Sequence, residues 1–347
     1  MEYWNDGSKP LCNDEILEYW KNGKNLRIDF SLVQVFSFIP LFQHSIIPVL
    51  RFPLFHYSGI LFRRLRMRFS YFPGCTDHST SLEYGLSTHA VFKTLDVELV
   101  EIEDWNCCGA AATHSLNRLL SLCLPARNIS KAQSAQAGPL VVPCAGCFNL
   151  LKRTEHVLKN DEAERKEIEE IVGFSYQPSL EILALMDVVV NRIGLEKVQE
   201  KAKKPLKGLK PACYYGCALV RNPKITQLDD SENPQYLDRL MKSLGAQPVE
   251  WSYKIDCCGA DLALTYGNVV KKMVGKIVSM AKEAGAQCIV TSCGLCQANL
   301  EMRQEIGLPI FYFTELMGVA FDVNRRDRWW KKHMISPKGL LESMGLL

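Results

Sequence analysis

The chain has 347 residues, 47% hydrophobic and 23% charged, with a formal charge of +3. This is an ordinary globular balance, long enough for two domains and too weakly basic to argue for a nucleic-acid partner. Fourteen cysteines at this length, behind a polar stretch from Met1 to Asn25 that lacks a secretory pattern, exclude a small secreted disulfide scaffold and point to a reducing, cytoplasmic setting.

Residues 1–66 read as an N-terminal extension with a short helix over Asn13 to Asn22. From Ser31 to Leu50 there is no formal charge, just enough length to span a bilayer. Pro40, Pro48, Gln43 and His44 interrupt it, and Arg63-Arg64-Leu65-Arg66 closes the segment. Three readings compete. One is a spanning helix, which the prolines and polar pair make expensive. The second is an apolar arm lying on a partner or touching a membrane through 31–62. The third is a segment outside the functional protein, with Met67 as a natural start.

Residues 67–195 read as a first α/β domain. Arg68–Phe72 alternates like a strand; Thr80 to Leu95 is a helix, and Val97–Ile102 a second strand. A helix from about Ser115 to Ser134 should kink or split at Pro125. Leu140–Val142 is a buried strand, Phe148 to Leu158 and Glu162 to Val172 are helical, and Ser179 should cap a helix running to Arg192. Residues 196–210 read as a linker. Residues 211–322 form a second domain, with a helix over Tyr236 to Leu244, a strand at Pro248–Trp251 and a helix over Asn268 to Ala284. Strands at Cys288–Thr291 and Ile310–Phe313 follow, then a helix capped by Thr314. Residues 323–347 form a C-terminal tail whose Trp329-Trp330 either docks on a partner or closes over its own domain. Strands alternating with helices predict two tandemly duplicated α/β domains with parallel sheets.

The cysteines carry the duplication. Cys75, Cys107, Cys108, Cys144 and Cys147 form one series; Cys217, Cys257, Cys258, Cys293 and Cys296 form the other. Each is a lone cysteine, then Cys-Cys-Gly, then Cys-x-x-Cys after an apolar run, which indicates a repeated domain with one site per copy. Cys12, Cys123, Cys213 and Cys288 have no counterparts and are not site residues. The site segments follow strands, so they should meet at one end of each sheet. Five thiols exceed what tetrahedral zinc requires, and adjacent cysteines pair poorly with each other. An iron–sulfur assembly fits best; structural zinc, disulfides and a thioredoxin-like dithiol are the alternatives. Gly109 and Gly259 should let the backbone approach the cluster. Asp77, His78 and His114 are proton-transfer candidates without repeat equivalents, for which capping or surface roles fit better; Asp261 should hold a loop amide.

The spacing Cys-x31-Cys-Cys-x35-Cys-x2-Cys, then Cys-x39-Cys-Cys-x34-Cys-x2-Cys, resembles the tandem CCG cysteine-rich domains of the family of the heterodisulfide reductase B subunit. The resemblance implies two non-cubane [4Fe–4S] clusters, one on each five-cysteine series, and no flavin or NAD on this chain. It implies the catalytic part of a disulfide/thiol oxidoreductase complex. The clusters themselves, rather than any side chain, would each handle one sulfur and one electron, in sulfur metabolism, with the oxidative direction left open. The alternative is an electron-transfer iron–sulfur subunit linking a lactate- or glycolate-type flavin dehydrogenase to quinone. The chain has neither a Cys-x-x-Cys-x-x-Cys run nor a Gly-x-Gly-x-x-Gly turn. Electrons therefore need partners, which fits the ferredoxin-like C subunit and the flavin-containing A subunit of such a complex, with a disulfide, thiol or carrier-bound sulfur as substrate.

Overall fold

Two parallel sheets carry the chain in the computed structural model, which describes residues 66–347 apart from 111, 112 and 325. The expectations for the apolar stretch Ser31–Leu50, for membrane contact through 31–62 and for Cys12 lie outside the described residues. Among the described residues no helix is long and apolar enough to cross a membrane.

The first sheet contains β1 (Met67–Tyr71), β2 (Val97–Glu101), β3 (Leu140–Val142) and β4 (Ile182–Ala184), in the order β2-β1-β3-β4. The second contains β5 (Pro211–Tyr214), β6 (Cys288–Thr291) and β7 (Ile310–Tyr312), in the order β5-β6-β7. Every pairing is parallel, with Ser70 opposite Leu140 in one sheet and Pro211 opposite Cys288 in the other. The β1-β3-β4 and β5-β6-β7 orders are the same, so the duplication in the sequence is a duplication of fold. Leu140-Val141-Val142 and Cys288-Ile289-Val290 are continuous apolar runs because helices cover both faces of each sheet, and all six residues are buried.

The structure corrects four local expectations. No helix starts at Ser179: Ile182–Ala184 pairs with β3, and helical turns follow only from Leu185, ending in a helix over Leu195–Lys201 where a linker was expected. Three apolar residues carry no period, so strand and helix could not be told apart there. Pro248–Trp251 is no strand. Gln247 N and Val249 N reach Leu209 O and Pro211 O, but Pro248 between them has no N–H to extend a ladder. The helix Arg118–Ala135 runs on through Pro125; the break comes earlier, at Asn117, which caps it by accepting from Leu120 N at 2.9 Å. The last long helix, Phe313–Ala320, is capped at Tyr312, whose N–H donates to Glu315 at 2.9 Å, and not at Thr314.

The tail folds back onto the chain, against Gly318 of the second repeat and the helix Leu82–Thr94 of the first. Trp329 and Trp330 are 4% and 3% exposed. Trp329 lies so close to Gly318 that a Cβ on the glycine would collide with the indole. His333 is buried between Glu301 (2.7 Å) and Glu315 (2.9 Å).

Candidate metal centre

Each cysteine series is gathered at the C-terminal ends of parallel strands. Gly74-Cys75 leaves β1, and Cys144 leaves β3 as N-cap of the helix Ala145–Asn160. Gly216-Cys217 leaves β5, and Cys293 leaves β6 as N-cap of the helix Gly294–Arg303. The Cys-x-x-Cys of each series therefore occupies a helix N-terminus, where the macrodipole favours thiolate.

In the first series Sγ of Cys75 and Cys107 are 3.7 Å apart, and Sγ of Cys108 and Cys147 are 3.0 Å apart. In the second, Cys258 and Cys296 are 3.5 Å apart, and Cys217 hydrogen-bonds to Cys257. The glycine after each pair takes positive φ and aims its N–H back: Gly109 N is 3.5 Å from Cys107 Sγ, and Gly259 N is 3.3 Å from Cys257 Sγ. Hydrogen bonds from Cys108, Cys75 and the Gly109 amide hold the Cys107 thiol well below its ordinary range. Cys217 and the Gly259 amide lower Cys257 to about 6, against burial and the nearby charges of Asp261 and Asp256. Hydrogen bonding to Cys107 and Cys257 pushes the Cys75 and Cys217 thiols up, and hydrogen bonds from Cys144 and Cys296 hold Cys293 well below its ordinary range.

The glycine before each lone cysteine is a cradle. A Cβ on Gly74 would stand 3.2 Å from Cys147 Sγ, and one on Gly216 would stand 3.1 Å from Cys296 Sγ. Both glycines take positive φ. The thiols stand in pairs; among the described residues no three Cys, His, Asp or Glu side chains close on one point as they would around a single ion. Five thiols spread over three loops at strand ends, with backbone amides aimed at sulfur, fit an iron–sulfur group. Cys75, Cys107 and Cys257 are exposed, Cys217 is half-buried, and the other six are buried.

The two series touch. Cys144 and Cys293 share a hydrogen bond, and the Gly146 amide donates to Cys293. Gly294 packs against Ser81 and Thr76 of the first repeat, where a Cβ would lie 2.5 Å from Ser81 Oγ. A cleft of about 170 Å3 opens beside the second series, floored by its five cysteines and rimmed by His114, Arg153 and Asp261.

The other candidates sort as follows. Asp77 is buried and accepts from Tyr71 Oη at 3.0 Å; burial raises its carboxyl to about 7. His78 is a surface residue, stacked on Trp105 and 3.2 Å from Glu101. His114 stands exposed on the cleft rim. Among the described residues Asp261 holds no loop amide; it is exposed on the same rim. Cys123, Cys213 and Cys288 are buried core residues whose thiols burial pushes up.

Three supporting residues carry no sequence signal. Asn128, fully buried, makes a reciprocal pair with Asn106: Asn106 N donates to Asn128 Oδ1 at 2.9 Å, and Asn128 Nδ2 donates to Asn106 O at 2.8 Å. This fixes the turn into Cys107-Cys108. In the second copy Asn299 Nδ2 donates to Cys258 O at 2.5 Å. The third is Tyr84, 2% exposed, whose ring stacks on Tyr312 at 4.2 Å.

A family of cysteine-rich domains, CCG, matches the chain twice, over residues 69–152 and 212–301. The chain is 30% identical over 275 residues to the 8-methylmenaquinol:fumarate reductase membrane anchor subunit of Wolinella succinogenes, covering 76% of this chain and 95% of that one. It is 26% identical over 268 residues to the B subunit of the ferredoxin/F(420)H(2)-dependent CoB-CoM heterodisulfide reductase of Methanosarcina acetivorans, covering 73% of this chain and 89% of that one. In fold it is similar to a hypothetical protein from Helicobacter pylori, with a TM-score of 0.57 at 12% identity over 77% of this chain and 51% of that one.

Proposed function

The chain belongs to the CCG cysteine-rich domain family, among proteins like the heterodisulfide reductase B subunit, and from that premise we propose that it is an electron-transfer subunit working between a flavin-bearing partner and a quinone. Cys75, Cys107, Cys108, Cys144 and Cys147 would hold one non-cubane [4Fe–4S] cluster, and Cys217, Cys257, Cys258, Cys293 and Cys296 the other. The clusters would supply one-electron carriers. The chain's own residues hold their charge: helix N-termini, the Gly109 and Gly259 amides and the glycine cradles.

The observation that carries this reading is the closed boundary between the series. Cys144 and Cys293 meet directly. The adjoining cleft of about 170 Å3 is smaller than the roughly 300 Å3 at which small-molecule pockets begin. A disulfide lying between two clusters needs both series at its wall; this cleft exposes thiols of the second series only, with Ala110, Ala145 and Gly146 beside the first series lining its other side. The relative that anchors a quinol:fumarate reductase supports a quinone-linked role.

A second reading is the disulfide/thiol oxidoreductase, working with a ferredoxin-like partner and a flavin-containing one. The heterodisulfide reductase relative favours it, as does Cys257, exposed at the cleft.

Anaerobic purification with iron, acid-labile sulfide and zinc analysis tests the common ground: two four-iron clusters require about eight iron per chain. EPR during titration then separates the readings. Cluster signals that respond to a menaquinol analogue and ignore thiols and disulfides support electron transfer. Signals that change only on adding a thiol or disulfide overturn it in favour of the catalytic reading. Stoichiometric zinc without iron removes both.

A further inference from the structure

Tyr84 lies on the helix Leu82–Thr94 of the first repeat, yet its ring is held by the second. It stacks on Tyr312 at 4.2 Å with 5° between planes and meets Phe313 edge-on at 6.1 Å. Three residues along the same helix, Ser87 Oγ lies 2.7 Å from Thr314 Oγ1. The ring is thus fixed from both sides of the repeat boundary.

Its hydroxyl points between the two Cys-x-x-Cys loops. Tyr84 Oη is 3.2 Å from Pro143 O and 3.3 Å from Ser292 O. Pro143 precedes Cys144, and Ser292 precedes Cys293, so these carbonyls are equivalent points of the two repeats. A phenol has one proton, and two acceptors at near-equal distance share it. Both lie outside the helices that begin after Cys144 and Cys293. The repeats contribute one carbonyl each, and a single residue closes the arrangement.

We propose that Tyr84 is a positioning residue that ties the two Cys-x-x-Cys loops together and sets the electrostatic surroundings of both cysteine series equally. The inference deepens the functional reading and rests on it: the ten cysteines must hold two clusters. The hydroxyl dipole turns its positive end toward the two carbonyls that lead into Cys144 and Cys293. Without it, two uncompensated carbonyl dipoles face the cluster loops, and reduction becomes harder at both.

The test is Tyr84→Phe in the full chain, purified anaerobically, with Tyr312→Phe as control. The control keeps the stack and removes a hydroxyl that lies 3.3 Å from Gln297 and hydrogen-bonds to Ser81 of the first repeat, without touching either loop carbonyl that Tyr84 holds. Iron content, melting temperature and an EPR-monitored redox titration are read for each. Tyr84→Phe is expected to retain wild-type iron, to lower both midpoint potentials together, and to alter the spin–spin interaction between the reduced centres; Tyr312→Phe lowers the melting temperature and leaves iron, both potentials and the spin–spin interaction unchanged. A lower melting temperature with both potentials and the spin–spin interaction unmoved shows a merely structural tyrosine and overturns the proposal, as does a shift at one centre alone. Wild-type protein lacking iron defeats the underlying cluster reading instead, so the two failures are distinguishable.

Discussion

Gly216 presses on Cys296: the Cβ it lacks would stand 3.1 Å from Sγ, on a backbone held at φ +68°. Gly74 stands in the same relation to Cys147, at 3.2 Å and φ +74°. Alanine at either position meets the last cysteine of its series and adds about 1–3 kcal/mol of backbone strain. Each single variant should keep roughly half of the ~8 iron expected for two four-iron clusters, because each cradle serves one series. Gly173→Ala is the control. It has φ +75° with nothing within 4 Å of the added carbon, so it imposes strain without crowding a thiol. Iron analysis of the three proteins decides; equal iron loss in Gly173→Ala would assign the effect to strain alone.

Asn128 carries the turn into the first cysteine pair. Replacing it with alanine leaves the half-buried N–H and C=O of Asn106 without this partner, at a cost of up to about 1–3 kcal/mol in total. The expected outcome is a lower melting temperature together with faster loss of iron to a chelator. Asn128→Asp keeps the N–H acceptor but sets a buried carboxylate oxygen against the Asn106 carbonyl, and is expected to be at least as damaging as alanine. An unchanged chelation rate in Asn128→Ala would show that the turn holds without its clamp.

Much of this architecture was legible in the chain. The ten cysteines stood out because each occurs twice in one chemical order, and the buried strands at Leu140–Val142 and Cys288–Thr291 because they are apolar throughout. What escaped has a common cause. Internal symmetry reveals residues present in both copies, whereas Tyr84 serves both copies once. Likewise β4 is only three residues long, below the window in which a period can be read, and Pro248 removes one donor from an otherwise strand-like run. The His333 pairing joins Glu301 and Glu315 across 32 and 18 residues, a distance no local pattern reports.

The tail is structural. Gly318→Ala would drive a methyl group into the Trp329 indole. Overpacking of this kind costs about 1–3 kcal/mol. Truncation after Asp322 uncovers the faces that Trp329 and Trp330 bury and strips His333 from two carboxylates. Both changes should lower the melting temperature, the truncation more. A truncated protein that melts like the full chain would return the tryptophans to a partner-docking role.

His333 sets the alkaline limit of stability. Both ring nitrogens lie against carboxylates, Nδ1 on Glu301 and Nε2 on Glu315, so the imidazole must donate from both and is cationic. Burial alone would lower its pKa, but Glu315 and Glu301 override burial and raise it to about 11. Burial raises Glu83, the third carboxylate of this cluster, to about 7, with a further push from Glu315 and Glu301 and an opposing pull from His333. The signs agree. A pKa raised on folding gives stability that is complete below the unfolded value and is lost as pH climbs through the folded one. For Glu83 the loss runs from about pH 4.5 to 7, and for His333 from about 6.5 to 11. The melting temperature should therefore fall steadily between pH 5 and 10. His333→Gln breaks a buried charge pair, at about 3–5 kcal/mol near neutral pH, and removes the alkaline part of the decline. Melting curves of both proteins across that range check this, and parallel pH profiles would show that His333 does not titrate in the folded protein.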